Sequence, residues 1–499
     1  MSIKVKIISI TVLLIAGLLP GLAAQAQVSR PTWSEPFRIS SIDQPITDHT
    51  VYADPYGYAH LFWVEILPDN RPIIKYSRFD GGIWTVPIGI HIGFEDHTIK
   101  TITPVLTPDN TLHLFWAQGI LVKRLVRSSV PLDGTLNAQN WAQAKAATSQ
   151  QVVETIKMVV DSEGVFHMVY TRTDGQSKGV YYIKSADQGS SWTNPVWIDP
   201  DTPAGYVPGD LTLAIDDADG LHAVWDYGTI DFSPDFANMI RYAGLAAGDP
   251  KWSLFMMDRV NPESDDEYQL NAASPVLAVS GQKVIVIWAG GTLNFRHFRF
   301  SDDAGRTWSS STRFMGNLNG QAGDGLAVDG SGRIHYFTQI RFPVGIYHSV
   351  FTEDRWTSPT IVYFIRYAGE ARDNVEAHRT YAAVRAGNQI VLTFTDPPPF
   401  SNRGLYVMTA ALPDIEPLEL PVLPTPIPTQ MEPPTATPPP TIGPALEAAP
   451  QTTDIAPQPV LQETPQEGPE NPEQTLVAGM LFSVLILIGI AGVRIIIKR

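Results

Sequence analysis

The residues best able to do chemistry in this 499-residue chain are carboxylates and arginines beside short apolar segments. Glu65 and Asp226 each follow a segment rich in aromatic residues. Two such carboxyl groups about 5–10 Å apart could act as acid and base in glycoside hydrolysis. Arginine suits the binding of a substrate carboxylate, because its planar guanidinium forms paired hydrogen bonds. The competing interpretation of these carboxylates and arginines is a solvated polar rim around a water-filled channel.

These side chains lie where the chain enters or leaves predicted strands. Loops at those points form the mouth of the predicted fold, so we expect these side chains at the mouth. The catalytic candidates are Arg38, Asp48, Glu65, Asp226 and Arg379. The binding candidates are Glu154, Arg172, Asp210, Asp324 and Arg341. Residues 216–220 (DDADG) resemble the start of a calcium loop but lack its later Glu, so we expect a turn there. Neither a metal site nor a cofactor is predicted.

The elements that position these residues follow from a repeat. One pattern recurs along the chain: an Asp, a nearby Gly and then a short strand with His and an aromatic residue. His60, His113, His167 and His222 are 53, 54 and 55 residues apart, and His335 fits the same pattern. A period near 50 residues with about four strands per unit is typical of a β-propeller. We therefore expect the histidines to be structural residues that bond the backbone between strands.

An all-β propeller of seven four-stranded blades is predicted, with six or eight blades left open. The last unit, residues 380–409, lacks an outer strand. Residues 33–39 resemble residues 192–198 of the third unit, so we expect the N-terminal strand to close the ring. Closure removes an exposed sheet edge. One tryptophan in each of four repeats is predicted to pack within its blade: Trp63, Trp116, Trp225 and Trp288.

Two octapeptides, S-A-D-Q-G-S-S-W at residues 185–192 and S-D-D-A-G-R-T-W at residues 301–308, predict tight turns. Asp can accept backbone N–H groups and Gly can adopt positive φ. The tryptophan that ends each turn is expected to pack back over its hairpin. The shared positions are Ser185, Asp187, Gly189, Trp192, Ser301, Asp303, Gly305 and Trp308.

This pattern resembles the Asp box, or BNR repeat, of sialidases and related β-propellers, and the resemblance covers residues 28–412. Sialidases bind the substrate carboxylate with three arginines and use a Tyr–Glu nucleophile and an Asp acid/base. The segment F-R-I-S around Arg38 is similar to the family's F/Y-R-I-P motif, with Ser40 in place of Pro. The family's later acidic segment has no counterpart. The resemblance therefore implies the fold without an intact sialidase site.

Composition narrows the function classes. The formal charge of −16 argues against nucleic-acid binding, which requires a basic surface. The chain has no cysteine, so disulfides and thiolate metal sites are excluded.

Both ends of the chain resemble targeting or membrane-anchoring segments. Residues 1–26 are predicted to be a signal peptide, and residues 28–412 the propeller. Residues 413–474 are rich in Pro and acidic, which predicts a disordered stalk. Residues 475–494 predict one transmembrane helix, and residues 495–499 a basic cytoplasmic tail. We expect a single-pass cell-membrane protein, bacterial, with an extracellular propeller.

The sequence leaves three functions open. The first is a membrane-anchored module that binds a surface glycan or a protein. The second is a diverged exo-glycosidase of sialidase type, and the third is an assembly scaffold for a membrane complex. The sequence leaves enzymatic activity uncertain and favours its absence. The oligomeric state is not predicted.

Overall fold

The computed structural model describes residues 30–423, except for residues 121–122, 153–154, 174–177, 203–204, 230–236, 261–270, 292, 321–322, 342–343, 365–379 and 397–403. Those residues form strands and two single 3-10 turns, without an α-helix. The signal peptide, most of the stalk and the transmembrane segment predicted from the sequence lie outside the described residues.

The strands run as follows in chain order: β1 (Thr32–Trp33), β2 (Phe37–Arg38), β3 (Ile46–Ala53), β4 (Ala59–Ile66), β5 (Pro72–Phe79), β6 (Ile88–Ile92), β7 (Thr98–Leu106), β8 (Thr111–Gly119), β9 (Lys123–Pro131), β10 (Lys145–Val152), β11 (Ile156–Val160), β12 (Phe166–Arg172), β13 (Gly179–Ser185), β14 (Val196–Trp197), β15 (Tyr206–Ile215), β16 (Leu221–Thr229), β17 (Met239–Leu245), β18 (Ser253–Arg259), β19 (Ala272–Ser280), β20 (Lys283–Gly290), β21 (Phe295–Ser301), β22 (Thr312–Arg313), β23 (Asp324–Val328), β24 (Ile334–Arg341), β25 (Val344–Thr352), β26 (Arg355–Trp356), β27 (Thr360–Tyr363), β28 (Tyr381–Arg385), β29 (Gln389–Asp396) and β30 (Gly404–Ala411).

These strands form seven antiparallel sheets, the blades of a β-propeller. Blade 1 is β3–β6, blade 2 is β7–β10, blade 3 is β11–β14 and blade 4 is β15–β18. Blade 5 is β19–β22, blade 6 is β23–β27, and blade 7 is β28–β30 with β1 and β2. The prediction of seven blades is confirmed, and the alternatives of six and eight are wrong.

The hydrophobic core lies between neighbouring blades. Phe115 of blade 2 packs with Phe166 and Tyr170 of blade 3 in one cluster. Val169 of blade 3 packs with Trp225 of blade 4 in the next. Because both faces of each blade are covered, the second strand of a blade is an almost continuous apolar run. The four repeat tryptophans are fully buried, as the packing prediction required.

The N-terminal segment completes blade 7. Both β1 and β2 pair with β30, so the predicted closure is confirmed. The Ser34 N–H donates to Thr409 O at 2.8 Å, and the Ser34 hydroxyl accepts the Thr409 N–H at 2.9 Å. The predicted single strand of residues 33–39 is two short strands, because Pro36 between them has no N–H to donate.

The two octapeptides, residues 185–192 and 301–308, are tight turns whose side chains contact the preceding blade. In the first of these turns Asp187 Oδ1 accepts the Ser191 N–H at 2.8 Å, and the Ser185 hydroxyl accepts the Gly189 N–H at 2.8 Å. The Trp192 indole donates to Ala147 O of blade 2 at 2.9 Å. Trp308 packs edge-on against Tyr242 of blade 4 with ring centroids 4.7 Å apart. Each tryptophan thus contacts the preceding blade, and Trp308 also lies over its own turn, where its indole donates to Gly305 O at 3.0 Å. The expected packing over the hairpin is therefore present together with a contact between blades.

The propeller has two faces, the mouth face and the turn face. The mouth face holds the starts of the innermost strands and the ends of the second strands. The turn face holds the turns between those strands and the two octapeptide turns.

The repeated histidines lie near the turn face. His60 Nε2 is 3.0 Å from Asp54 Oδ2, and His60 Nδ1 is 2.8 Å from the Tyr76 hydroxyl. Burial lowers the pKa of His60 although Asp54 opposes that shift, so we infer a neutral ring that donates to Asp54 and accepts from Tyr76. The same arrangement recurs at Asp161/His167/Tyr182, Asp216/His222/Tyr242 and Asp329/His335/His348. These histidines are structural, but they bond side chains and not the backbone.

Candidate functional site

Glu65, one of the two predicted acid/base carboxylates, is fully buried at the mouth-face end of β4. Its carboxylate accepts the Ser41 N–H at 2.9 Å, the Ser41 hydroxyl at 2.8 Å and the Trp63 indole N–H at 2.8 Å. Three donors occupy most of the acceptor capacity of a carboxylate. This arrangement ties the loop after the closing strands to blade 1, which is a structural role.

Asp226, the other predicted acid/base carboxylate, lies near the mouth end of β16. One oxygen accepts the Asp210 N–H at 2.8 Å and the other accepts the Ser274 N–H at 2.8 Å. Ser274 has φ of 52°, a left-handed conformation that side chains rarely adopt. Asp226 therefore connects irregular points of the inner strands of blades 4 and 5. The structure places Glu65 in blade 1 and Asp226 in blade 4, in separate hydrogen-bond networks.

Asp48 has a matching position in blade 1. Its carboxylate accepts the Ile102 N–H of blade 2 at 3.2 Å. Thr101, the preceding residue, has φ of 55°, which is unusual for a β-branched side chain. Strained residues of this kind persist where the surroundings hold them, and they concentrate at binding sites. His49, next to Asp48, contacts Tyr381 of blade 7 edge-on with ring centroids 4.9 Å apart.

Asp324 forms a buried ion pair between blades 5 and 6. Its carboxylate lies 2.9 Å from Arg296 Nε, and its side chain is 2% exposed while that of Arg296 is fully buried. Burial lowers the pKa of Arg296, but Asp324 and the Tyr336 hydroxyl outweigh burial and raise that pKa above its ordinary value. Thr338 also donates to Asp324 Oδ1 at 2.6 Å, which helps to hold the carboxylate beside Arg296.

Arg38, the residue in the sialidase-like segment, lies on the outer strand of blade 7. Its guanidinium donates to Ser41 O at 2.7 Å and to Ile42 O at 3.1 Å. It also lies against Gly404, where an added Cβ would come within 2.9 Å of Arg38 Cζ. Trp197 of blade 3 occupies the same repeat position, beside Gly179 and stacked on Tyr181. This shared geometry indicates packing of the blade edge.

The remaining candidates are placed only in part. Arg172 lies at the mouth end of β12 with its guanidinium carbon 5.6 Å from the centre of the Tyr181 ring. Asp210 lies in β15, half-buried, beside Asp226. Arg341 ends β24 at the mouth face. Glu154 and Arg379 lie outside the described residues, so the structure does not place them.

The structure reveals a set of polar atoms that the sequence did not single out. Gln339, Thr380 and Thr395 lie near the mouth ends of blades 6 and 7 and are 5%, 0% and 5% exposed. Gln339 Oε1 and both threonine hydroxyls lack a hydrogen-bond partner within the described chain. Buried polar groups are nearly always paired, so unpaired ones call for a bound water or ligand. Neutral threonines and a glutamine carry no charge pattern by which the sequence could have signalled them.

The edges of blades 6 and 7 approach closely where these residues lie. A Cβ on Gly325 of β23 would come within 2.5 Å of Thr380 O, the carbonyl at the entry of β28. The Thr393 hydroxyl, two residues from Thr395, donates to Tyr381 O at 3.3 Å. The unpaired groups and the His49–Tyr381 contact therefore belong to one sector of the mouth face, from blade 6 through blade 7 to blade 1.

The described part of the chain contains no group of three or more His, Asp or Glu residues arranged to hold a metal ion. Residues 216–220, which resemble the start of a calcium loop, form the β15–β16 turn, in which Asp216 Oδ1 accepts the Gly220 N–H at 2.7 Å. Among the described residues, no helix has the length and apolar character to cross a bilayer.

No protein-family model and no curated protein sequence matches this chain. Its fold is similar to that of several solved structures. An ulvan lyase bound to -[GlcA(1-4)Rha3S]- matches with a TM-score of 0.50 at 10% identity, over 76% of this chain and 95% of the lyase.

Two further structures match over much of their length. The NanB sialidase from Streptococcus pneumoniae has a TM-score of 0.41 and 10% identity, over 74% of this chain and 70% of the sialidase. The α-L-arabinofuranosidase Arb93A from Fusarium graminearum has a TM-score of 0.41 and 10% identity, over 63% of this chain and 94% of that enzyme. At 10% identity, the similarity to the ulvan lyase is a similarity of fold alone.

Proposed function

We propose that this chain is a glycan-binding β-propeller displayed at a membrane surface, and that the ligand binds on the mouth face at the junction of blades 6 and 7. The observation that carries the proposal is the set of unpaired polar groups of Gln339, Thr380 and Thr395. Hydroxyl and amide groups that lack partners suit a ligand rich in hydroxyls. A site built this way discriminates well, because a ligand without matching groups leaves them unpaired.

The predicted acid/base carboxylates support binding without hydrolysis. Glu65 accepts three hydrogen bonds, and Asp226 accepts two backbone N–H groups. A carboxylate fixed in this way is poorly placed to transfer protons to a substrate. The glycosidase alternative therefore requires other residues. Its test is release of the fluorophore from a sialic acid conjugate, and turnover by the full-length protein above that of a heat-denatured sample would overturn the binding-only proposal.

The binding site is tested by removing single hydroxyls. Thr380→Val and Thr395→Val keep the shape of the side chain and remove an unpaired polar atom, so we expect folding stability to be unchanged or higher. Binding to an immobilised panel of neutral, uronate-containing and sialylated oligosaccharides should fall about tenfold or more for each hydroxyl that contacts the ligand. The control is Thr32→Val, at an exposed threonine on the turn face.

The outcome decides between the candidate functions. Unchanged glycan binding in both variants would place the ligand elsewhere on the propeller. Failure of every glycan to bind would remove the glycan proposal and leave a protein ligand or an assembly role.

Surface display stays part of the proposal. It is supported by the sequence features at both ends of the chain, the signal peptide at residues 1–26 and the apolar segment at residues 475–494. Protease treatment of intact cells tests it, since an extracellular propeller is released by cleavage within the predicted stalk.

A further inference from the structure

The segment that follows the propeller, residues 413–423, lies along the turn face and is called the strap below. Composition alone assigns it to the stalk, because it contains three prolines and three acidic residues. The structure shows it against the propeller, with hydrogen bonds and apolar contacts to successive blades.

Polar contacts fix the first half of the strap. The Asp414 carboxylate lies 2.6 Å from Arg333 Nη1, and Arg333 also binds Asp329 at 2.8 Å in the turn of blade 6. The Asn388 side chain of blade 7 donates to Ile415 O at 3.3 Å. The Leu418 N–H donates to Ala386 O, also in blade 7, at 2.9 Å.

Apolar contacts continue across blades 7, 1 and 2. Leu418 lies so close to Gly387 that a Cβ there would be 2.6 Å from Leu418 Cγ. Leu420 lies equally close to Gly57 of blade 1. Leu423 packs against the core shared by blades 1 and 2. Both glycines have positive φ, so close approach and backbone conformation require glycine at the same two positions.

The strap crosses the point where the ring closes. Blade 7 contains both ends of the propeller, and its neighbour blade 1 is the first continuous blade. Arg385 of blade 7 already bridges that seam, donating to Gly57 O at 2.6 Å and to Asp80 O at 3.0 Å. The strap lies over the same two blades. Pro413, Pro417 and Pro421 restrict its backbone, which lowers the entropic cost of holding an extended segment in place.

We propose that residues 413–423 are a second closure of the propeller: they bind the turns of blades 6, 7, 1 and 2 and hold the last blade against the first. This makes the strap part of the folded domain. It also fixes the place where the chain leaves the propeller, on the face opposite the mouth. The inference does not depend on what the mouth binds.

The absence of cysteine from the chain allows a direct test in the full-length protein. Single cysteines are introduced at two partly buried strap positions, Ile415→Cys and Leu423→Cys, and at two exposed ones, Glu416→Cys and Glu419→Cys. With the strap bound, the buried positions should react with a maleimide about tenfold more slowly than the exposed ones, because labelling requires local opening. The two buried positions lie at opposite ends, so release caused by one substitution leaves the other as an independent reporter.

A second arm removes the ion pair to blade 6. Asp414→Asn should accelerate labelling at positions 415 and 423 and lower the midpoint of thermal unfolding, whereas Glu419→Gln, at an exposed acidic residue of the same strap, should change neither. Equal labelling rates at all four positions would overturn the proposal. Unchanged labelling and unfolding in Asp414→Asn would overturn the role of the ion pair and, with it, the polar half of the closure.

Discussion

At the scale of single residues, the positions shared by the two octapeptide turns have separate physical roles. Asp303 accepts the Thr307 hydroxyl and N–H and the Ser301 hydroxyl, and these hydrogen bonds lower its pKa to about 2. Gly305 has φ of 79° and Gly189 has φ of 78°. The two glycines have nearly the same φ, but different atoms lie near the position that an added Cβ would take.

Replacing these glycines with alanine should therefore have unequal effects. A Cβ at Gly305 would lie 1.9 Å from the Tyr242 hydroxyl, which is itself bonded to His222, whereas at Gly189 the nearest atom is the flexible end of Arg127 at 3.1 Å. Both substitutions carry the same cost of positive φ, about 1 kcal/mol. We expect Gly305→Ala to lower the unfolding free energy by about 1–3 kcal/mol more than Gly189→Ala. Denaturant unfolding measures this, and equal losses would contradict it.

His113 in blade 2 is the exception among the repeat histidines. Thr107 stands where Asp54 stands in blade 1, and both ring nitrogens of His113 lack a partner in the described chain. Burial lowers the pKa of His113 to about 4. In the unfolded chain a histidine titrates near 6.5. The unfolded state therefore binds the proton first as the pH falls, and folding loses stability between about pH 6.5 and 4.

The variant His113→Phe removes this proton linkage and keeps a ring against Phe115 and Phe166. Between pH 7 and 4.5, we expect the variant to lose about 2 kcal/mol less unfolding free energy than the natural chain. The measurement is denaturant unfolding at both pH values. A loss as large as that of the natural chain would show that the ring is not the group that titrates.

At the scale of elements, the blades are held together by side chains at the ends of strands. Glu65 binds the loop after β2, Asp48 binds β7, and Asp226 binds β19. All three carboxylates were candidates because polar residues at strand ends line a propeller mouth. Each carboxylate binds at least one partner outside its own blade, 24 to 54 residues away in sequence.

Glu65→Gln separates the structural role from the catalytic one. The amide keeps the size of the side chain but can accept at one oxygen only, so donors from Ser41 or Trp63 lose a partner. We expect the unfolding free energy to fall by about 1–3 kcal/mol, with ligand binding at blades 6 and 7 retained. Thermal unfolding and glycan binding are measured on the same sample. An unchanged unfolding free energy would contradict the structural role.

The repeats made the fold predictable and left the site mostly unpredictable. Spacing of His60, His113, His167 and His222 gives the blades, since each blade repeats one pattern of buried positions. Side-chain partners depend on which neighbouring blade meets each strand end, and no single repeat contains that information. The strap was missed for a related reason. Prolines favour extended backbone both in a free stalk and in a segment bound to glycine-lined turns, so composition does not distinguish the two.

At the scale of the whole molecule, the mouth and the turn face have divided tasks. The turn face carries the two octapeptide turns, the paired histidines and the strap, which together stabilise the ring. The mouth face carries the strained residues Thr101 and Ser274 and the unpaired groups of blades 6 and 7. The mouth face also carries stabilising contacts, those of Glu65, Asp48 and Asp226, so the unpaired polar groups of blades 6 and 7 lie on a rigid scaffold, as expected for a binding surface.

The pairing of Thr32 with Ala411 has one more consequence. The strand β1 runs antiparallel to β30 and pairs with its last residues at the turn face. Both ends of the closed ring therefore lie beside each other there, away from the mouth. A tension applied through the strap would be borne by Arg333 and the turns of four blades before it reached β30. The propeller can therefore be pulled, tethered or joined to other chains at either end without obstructing what approaches its mouth.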